Sequence, residues 1–494
     1  MRIPIDHQSR VPLYQQIENY LRQNILSGSL APETRLPATR QLSADLGVSR
    51  TTVKNAYAAL ESDGLITTRE GSGTYVTPPL LYLRGAGMTN ELAWPLWQQE
   101  QETAAEHVFS SEIYQGEYPA HFGHPQPVIF TGVGDPRRFP VKEFYHAVQR
   151  VMRRDGVEAI DHSTFNAGYP PLRETIARVL ASQGIKANPE QVLITTGSQQ
   201  ALALVCQILL KPGDVILVEN PTYNLGLELF RSLNLKIVGI PTDQYGMQVD
   251  QLERLLQRCH PKLIYTIPNF QNPSGACLPG ARRRQLIALA DRYNTPILED
   301  DYAGDLRYEG VAQPAIKALD PGGRVIYTGT FSKMLMPGLR VGFLLAEGPI
   351  FERLLKTKWV NDLTTSTLIQ RALDEYVTVG RYQAHLRRSC RANRARRDAM
   401  LAAIKRYLPG EVQVNPPQGG LFLWLRLPEG VSSLKLLPLA VREGVDFTPG
   451  SWFFANPAEG DGFLRLNFAT QTPEEIDVGI QRLATAMQRL ARTG

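Results

Sequence analysis

The chain has 494 residues, more than one hydrophobic core usually organises, so we expect two or more domains. Hydrophobic residues make up 43% of it and charged residues 20%, which is typical of a soluble globular protein. No apolar run approaches the length of a membrane span and residues 1–10 are polar, so we expect neither a membrane protein nor a signal peptide. The net charge of +5 is too small for this length to indicate nucleic-acid binding by itself.

The four cysteines lie far apart, without the C-x-x-C spacing of metal or redox sites: Cys206, Cys259, Cys277 and Cys390. This pattern predicts reduced, mostly structural thiols in a cytoplasmic protein, and it predicts no metal site. Evidence for function must therefore come from local motifs.

Residues 12–77 predict three helices followed by a hairpin. In the first helix an apolar residue recurs every four positions, as in Leu13, Ile17, Leu21 and Ile25. The second helix stops at Gly47, and Ser49 stands at the N-cap position of the third, Arg50–Ser62. Residues 65–68 and 74–77, joined by a glycine-containing turn, predict a two-stranded wing. This order is typical of a winged helix–turn–helix, an N-terminal all-α DNA-binding fold with a small hairpin.

The first turn of the third helix presents polar and basic side chains opposite its apolar face: Arg50, Thr51, Thr52 and Lys54. A helix N-terminus with hydroxyl and guanidinium groups suits DNA phosphates and major-groove base edges. The alternative interpretation is a solvated, charged helix face. The agreement of the buried pattern with the wing favours the DNA reader.

The module closely resembles the GntR-type DNA-binding domain, through the pairing of RLPATRQLS with GVSRTTV and through GSGTYV in the wing. The resemblance covers nearly all of residues 1–77, which we assign to this domain. It implies that the chain binds double-stranded DNA. The motif-matched DNA contacts are Arg40, Ser49, Arg50, Thr52, Lys54 and the wing at Gly71.

Residues 78–127 show no sustained period and are predicted to be a linker or a functional loop. From residue 128 to 494, short apolar runs alternate with helical patterns, as expected for strands buried on both faces of a mostly parallel α/β sheet. The predicted strands are 192–195, 215–218, 263–266, 297–298, 325–328 and 341–345.

Polar motifs follow several of these strands at the ends where α/β sheets place their sites. Residues 196–200, TGSQQ, open a helix and predict an anion cradle suited to phosphate. Residues 268–275, PNFQNPSG, predict a rigid turn that aims an amide. Each motif also has a structural interpretation, such as a capped helix or a turn. Their occurrence together, in this order, favours a site.

Two further motifs complete the set. The acids in EDDY, residues 299–302, end a buried strand and are costly there unless they meet a cation or a donor, such as a protonated pyridine nitrogen. Lys333 in GTFSK lies among hydroxyls, and Arg340 follows seven residues later. Such a lysine can be an imine-forming amine beside a phosphate clamp.

From about residue 130 to the C-terminus, these motifs resemble the class I aminotransferases of fold type I, an α/β fold with a smaller C-terminal α+β subdomain. The resemblance implies pyridoxal 5'-phosphate (PLP) as cofactor and Lys333 as its Schiff-base lysine. It implies that Asp300 pairs with the pyridine nitrogen, that Asn272 and Tyr302 bond the phenolic oxygen, and that Tyr223 in ENPTY stacks on or flanks the ring. The implied phosphate ligands are Ser198, Gln199, Thr330, Ser332 and Arg340. Arg465 in FLRLNF matches the arginine that binds a substrate carboxylate.

A GntR head followed by this domain is similar to the MocR subfamily of regulators. That resemblance implies a homodimer, head-to-tail, with each DNA-binding domain against the partner's large domain. Two positions depart from the family pattern. Ser163 stands where a tyrosine often reaches the partner's phosphate, and Leu225 stands where GABA-sensing members carry an arginine. A GABA-like ligand that needs a second guanidinium is therefore not expected.

Six arginines fall within residues 385–397: Arg387, Arg388, Arg391, Arg394, Arg396 and Arg397. One interpretation is a solvated, salt-bridged helix face. The other is a basic stripe that continues the DNA footprint across the large domain.

Three functions are compatible with the sequence. The first is a transcription regulator whose PLP domain senses a small amine or amino acid without sustained turnover. The second is a working aminotransferase with an accessory DNA-binding domain. The third, a vestigial domain that serves only dimerisation, is disfavoured because every cofactor position is chemically suitable. The complete N-terminal reader favours the first.

Overall fold

The computed structural model describes residues 3–9, 11–69, 71–77, 124–132, 134–161 and 165–493. The chain forms two compact units, and the boundary between Gln99 and Glu100 lies outside the described residues. The predicted linker also lies outside them, apart from residues 124–127, as does Ser163.

The described part of the first unit forms three helices and a hairpin: α1 (Leu13–Leu26), α2 (Thr39–Leu46), α3 (Arg50–Ser62), β1 (Ile66–Arg69) and β2 (Gly73–Val76). The strands pair antiparallel, with Ile66 opposite Val76. The apolar stripes meet in one core that includes Ile17, Leu21, Leu42, Val53 and Leu60. The prediction of a winged helix–turn–helix is confirmed, and the wing strands lie within one residue of their predicted bounds.

The second unit is built on a sheet of eight strands: β3 (Val192–Thr195), β4 (Val215–Asn220), β5 (Lys236–Asp243), β6 (Gly246–Met247), β7 (Leu263–Thr266), β8 (Ile297–Asp301), β9 (Val325–Thr330) and β10 (Gly342–Leu345). Its helices are α4 (Val141–Asp155), α5 (Pro170–Ser182), α6 (Ser198–Leu209), α7 (Asn224–Ser232), α8 (Val249–Cys259), α9 (Gly280–Arg292), α10 (Pro349–Asp362), α11 (Thr367–Thr378) and α12 (Arg381–Tyr407).

The strand order in this sheet is β3-β10-β9-β8-β7-β4-β5-β6. Strands β5, β4, β7, β8 and β9 pair parallel, whereas β10 pairs antiparallel with both β3 and β9. The carboxyl ends of β3, β4, β7, β8 and β9 therefore share one edge of the sheet, and the loops that follow them meet there.

A smaller α+β subdomain follows, with strands β11 (Gln413–Val414), β12 (Phe422–Arg426), β13 (Thr448–Pro449) and β14 (Phe463–Asn467), and helices α13 (Ser433–Arg442) and α14 (Pro473–Thr493). Its core also contains Val128 and Phe130, so the first described residues of this unit pack with the last elements of the chain. Within the described ranges, no helix is long and apolar enough to cross a membrane.

The close approach of β10 to the turn after β3 depends on a glycine. A Cβ on Gly342 would lie 2.8 Å from the backbone of Gly197. We expect Gly342→Ala to lower the free energy of unfolding by about 1–3 kcal/mol, because the strand or the turn must move to admit the methyl group. Gly338→Ala is the matched control, since a Cβ there meets no atom within 4 Å. Equal urea midpoints for the two variants would contradict the expectation.

Candidate functional site

The loops at the carboxyl edge of the large sheet and one strand of the smaller sheet enclose a cavity of about 340 Å³. Residues that the sequence singles out from six separate segments line it: Ser198, Tyr223, Asn272, Asp300, Tyr302, Lys333 and Arg465. Motifs that are up to 267 residues apart in the chain, from Ser198 to Arg465, therefore form one site.

Asp300 lies at the end of β8, and its side chain is buried. Its Oδ2 accepts a hydrogen bond from the Tyr265 hydroxyl at 2.9 Å, and its Oδ1 has no partner among the described residues. Burial raises the pKa of the Asp300 carboxyl to about 7, although the bond from Tyr265 opposes the shift. An additional donor or cation beside Oδ1 would stabilise the carboxylate.

Lys333 follows β9 and shares the cavity with Asp300. Burial, together with the charges of Arg465 and Arg340, lowers the pKa of the Lys333 amine to about 8, and the Asp300 carboxylate opposes this shift. A substantial fraction of the amine is then neutral near pH 8, which makes it a usable nucleophile.

Arg465 projects from β14 and is buried without a carboxylate partner among the described residues. Its Nη1 donates to Asn272 Oδ1 at 2.9 Å and its Nη2 to Thr448 Oγ1 at 3.2 Å, whereas Nε has no partner. The guanidinium lies 4.1 Å from the centre of the Phe422 ring and 4.8 Å from that of Phe453. Burial lowers its pKa to about 10. Such a cation is suited to bind an anionic ligand group.

The remaining predicted phosphate ligands lie beside the start of α6. A Cβ on Gly197 would be 2.7 Å from Arg340 Nη2, so the guanidinium lies against the backbone of this turn. The Ser332 hydroxyl and the Gln199 Oε1 are buried without partners among the described residues. Thr330 Oγ1 donates to the Val341 carbonyl at 3.3 Å and accepts from the Ser332 amide at 3.1 Å. The Thr330 side chain therefore stabilises the loop by hydrogen bonds to backbone groups.

The turn that carries Asn272 is held by groups that the sequence analysis did not identify. Glu219, at the end of β4, accepts from the Ile267 amide at 3.0 Å and from Gln271 Nε2 at 3.3 Å. Gln271 Nε2 also donates to the Pro221 carbonyl at 2.7 Å. The ENPTY segment and the Asn272 turn are thus fixed to each other. The buried acid in ENPTY was a usable signal for this role, because such an acid requires donors.

The sequence analysis did not predict three further residues that line the cavity, namely Phe422, Thr448 and Trp452. It also did not predict Tyr265, whose hydroxyl donates to Asp300. Tyr302 was assigned to the cofactor, and here its hydroxyl donates to the Phe270 carbonyl at 2.7 Å while its ring stacks near Phe422.

The predicted DNA-reading residues fall on the exposed first turns of α2 and α3 and on the wing. Arg40, Arg50 and Lys54 are exposed, and none has an ion pair within the described residues. Ser49 Oγ accepts from the Thr52 amide at 3.1 Å, so Ser49 caps α3 as predicted. Gly71 lies in the exposed turn of the wing with φ of 73°.

The arginine cluster on α12 divides into two groups. Arg396 pairs with Asp135, and Arg397 pairs with Glu309 and Asp398; both arginines are buried. The other members are exposed, namely Arg387, Arg388, Arg391 and Arg394, the last of which lies 3.7 Å from Glu309. Salt bridges therefore account for the two buried arginines. They account for the four exposed arginines only in part.

Comparison with known proteins places both units in families. Residues 127–483 match the aminotransferase class I and II family, and residues 13–76 match the bacterial regulatory proteins of the gntR family. The chain is 30% identical, over 99% of its length and 97% of the relative's, to the probable rhizopine catabolism regulatory protein MocR of Rhizobium meliloti. It is 39% identical to aromatic-amino-acid aminotransferase 1 of Thermococcus litoralis, over 72% of this chain and 87% of that protein.

Among solved structures, the α-aminoadipate aminotransferase of Thermus thermophilus, in complex with N-(5'-phosphopyridoxyl)-L-leucine, has a TM-score of 0.73. It is 34% identical, and the match covers 81% of this chain and 100% of that one.

The residues present fit PLP, the cofactor of this domain. Asp300 Oδ1 is an unpartnered buried oxygen that suits a protonated ring nitrogen. The start of α6, the Ser332 hydroxyl and the Arg340 guanidinium form a set of donors that suits a phosphate. The chain belongs to the class I and II aminotransferase family, and its preceding gntR-family domain gives it the architecture of MocR and related HTH-type regulators.

Proposed function

We propose that the protein is a cytoplasmic transcription regulator that binds an operator through its first unit and senses a small amine or amino acid through its PLP site. The observation that carries the proposal is that one chain combines an exposed DNA-reading helix with a pocket in which Arg465 is buried without an anionic partner among the described residues. The exposed helix is suited to bind DNA. The buried Arg465 is suited to bind a carboxylate ligand beside Lys333.

The pocket residues have distinct roles in this proposal. Bound PLP supplies an electrophilic carbonyl carbon that takes up primary amines reversibly. Lys333 would hold the cofactor and give way to the incoming amine, and its lowered pKa keeps a fraction of Nζ free of its proton. Asp300 would hold a proton on the ring nitrogen, while Asn272 and Tyr302 would bind the phenolic oxygen and Tyr223 would flank the ring.

The phosphate would be held by Ser198, Gln199, Thr330, Ser332 and Arg340. Arg465 would orient the effector by binding its carboxylate.

We also propose a homodimer, arranged head-to-tail as the resemblance to MocR proteins implies. Apolar side chains at the end of α10 support a protein interface on the second unit, because Trp359, Val360 and Leu363 are exposed there.

An active aminotransferase is the second candidate. The pocket is compatible with it, since sensing and turnover need the same Lys333, Asp300 and Arg340. A turnover assay with a panel of amino acids and 2-oxo acids separates the two. Multiple turnovers at a rate typical of enzymes, about 1 per second or more, would establish the enzyme.

We expect PLP to be attached at Lys333. Purified protein should show a visible absorption band, and borohydride should fix the cofactor to the peptide that contains Lys333. Lys333→Ala should abolish the fixed adduct, because its side chain has no amine, whereas Lys211→Ala, at an exposed lysine, should retain it. Peptide mass spectrometry measures both. A fixed adduct in Lys333→Ala would contradict the assignment.

We expect the first turn of α3 to read DNA. Arg50→Ala should weaken binding to a site selected from random DNA by about 1–3 kcal/mol if Arg50 contacts a base, or lower the salt slope by about 1 if it contacts a phosphate. Arg254→Ala, at an exposed arginine of α8, is the charge-matched control. If deletion of residues 1–77 left the affinity unchanged, the proposal would fail and the exposed arginines of α12 would become the candidates.

We expect the effector to change DNA binding. In the PLP-loaded protein, at least one amino acid or small amine should shift operator affinity or DNA bending, with a coupling of about 1–3 kcal/mol in affinity. Lys333→Ala and Arg465→Ala should lose this response, because the first removes the exchangeable amine and the second the carboxylate partner. Identical binding and bending by apo, PLP-loaded and amine-treated protein would mean that the cofactor is not a signal.

A further inference from the structure

We infer that the effector is an α-amino acid with one carboxylate and an apolar or aromatic side chain. This inference rests on the proposed function and specifies the ligand of the same pocket.

The charged residues of the lining limit the charge that a ligand can carry. Among the described residues that line the cavity, the charged ones are Asp300, Lys333 and Arg465. Asp300 and Lys333 are committed to the cofactor, so Arg465 is the cation available to a ligand. Its orientation is fixed by the rings of Phe422 and Phe453, which lie against the guanidinium, and by hydrogen bonds to Asn272 and Thr448. Arg465 can therefore neutralise one carboxylate of a ligand.

A second carboxylate on the ligand would meet no cation among these residues. Leu225 lines the same cavity with an uncharged side chain. A buried, unpaired carboxylate is strongly unfavourable, so dicarboxylic amino acids should bind weakly. The same reasoning disfavours a side-chain ammonium, because the described lining offers no acid besides Asp300.

One wall of the cavity is apolar. Leu225, Ile267, Phe422 and Trp452 line the cavity together. Ile267 and Phe422 are buried, whereas Trp452 is half-buried and Leu225 is 36% exposed, so the last two lie nearest the opening. An apolar side chain that covers this wall would remove its surface from water.

The segment that carries Trp452 is held by hydrogen bonds to residues 220–231. The Thr222 amide donates to the Phe453 carbonyl at 2.8 Å, and the Ala455 amide donates to Asn220 Oδ1 at 3.2 Å. Arg231 Nη2 donates to the carbonyls of Phe454 and Ala455, at 3.2 Å each. The wall is therefore held in place before a ligand arrives, which lowers the entropy lost on binding.

The test titrates the PLP-loaded full-length protein with single amino acids and follows the visible spectrum of the cofactor. L-leucine and L-phenylalanine should act at concentrations at least about tenfold lower than L-glutamate, L-2-aminoadipate or L-lysine, a ratio within the range expected for an apolar pocket. Methylamine, which has neither a carboxylate nor a side chain to place, serves as the reference amine. Equal or stronger action of the dicarboxylic amino acids would overturn the inference.

Two pairs of variants sharpen the test. Leu225→Arg should lower the glutamate concentration required by about tenfold or more relative to methylamine, because it adds a guanidinium, and Leu225→Met should not. Trp452→Ala should reduce the preference for phenylalanine over alanine, and Trp452→Phe should retain most of it. If glutamate gained nothing from Leu225→Arg and the phenylalanine preference survived Trp452→Ala, the lining assigned here would be wrong.

The spectral ranking and the operator response separate this inference from the proposed function. If the ranking holds but no amine alters operator affinity, the ligand class stands and the sensor proposal fails. If operator affinity responds most strongly to glutamate or lysine, the sensor stands and the ligand class fails. If no amino acid alters the spectrum, the ligand class fails, and if no amine of any kind alters it, both fail.

Discussion

The burial of the Arg465 guanidinium is the constraint on which the arrangement of the pocket depends. A buried cation requires hydrogen bonds and a compensating charge, and this one lacks a carboxylate partner among the described residues. Asn272 and Thr448 bond its two terminal nitrogens, and the rings of Phe422 and Phe453 cover its faces. These contacts fix the orientation of the guanidinium, and the described residues supply no anion to pair with it. The pocket therefore suits a ligand that carries an anionic group.

The charge of Arg465 also affects the pKa of the neighbouring Lys333. Arg465 and Arg340 both help to lower the pKa of Lys333, whereas Asp300 opposes them from the end of β8. Tyr265 holds one oxygen of Asp300 and leaves the other without a partner among the described residues. An amine that is partly neutral, beside an acid ready to hold a proton, suits reversible uptake of another amine. Sensing and transamination both begin with that step, so the pocket does not distinguish them, and the feature that favours sensing is the DNA-binding unit of the same chain.

The sequence was sufficient for features that depend on local pattern. The stripes of α1 and α3, the cap at Ser49 and the buried strands follow from periodicity, and the motifs at strand ends located Lys333 and Asp300. It was insufficient where a role depends on distant contacts. Thr448, Phe422 and Trp452 belong to no motif, and their role arises because β12 and β13 flank β14 and bring them beside Arg465. The arginines of α12 show the same limit, since only the fold places Asp135 and Glu309 beside two of them.

The position of Arg465 also indicates how a ligand could alter the shape of the second unit. Arg465 belongs to the smaller sheet, whereas Asp300 lies at the end of β8 of the large sheet and Lys333 and Asn272 lie in loops that follow its strands. A ligand whose amine bound the cofactor in place of Lys333, and whose carboxylate bound Arg465, would bridge the two sheets. Because a ligand shifts an equilibrium only by its differential affinity, it favours the arrangement in which both ends are bound. A switch from 1:99 to 99:1 needs about 5.5 kcal/mol, and amine exchange together with one buried carboxylate–guanidinium pair is a plausible source of much of it.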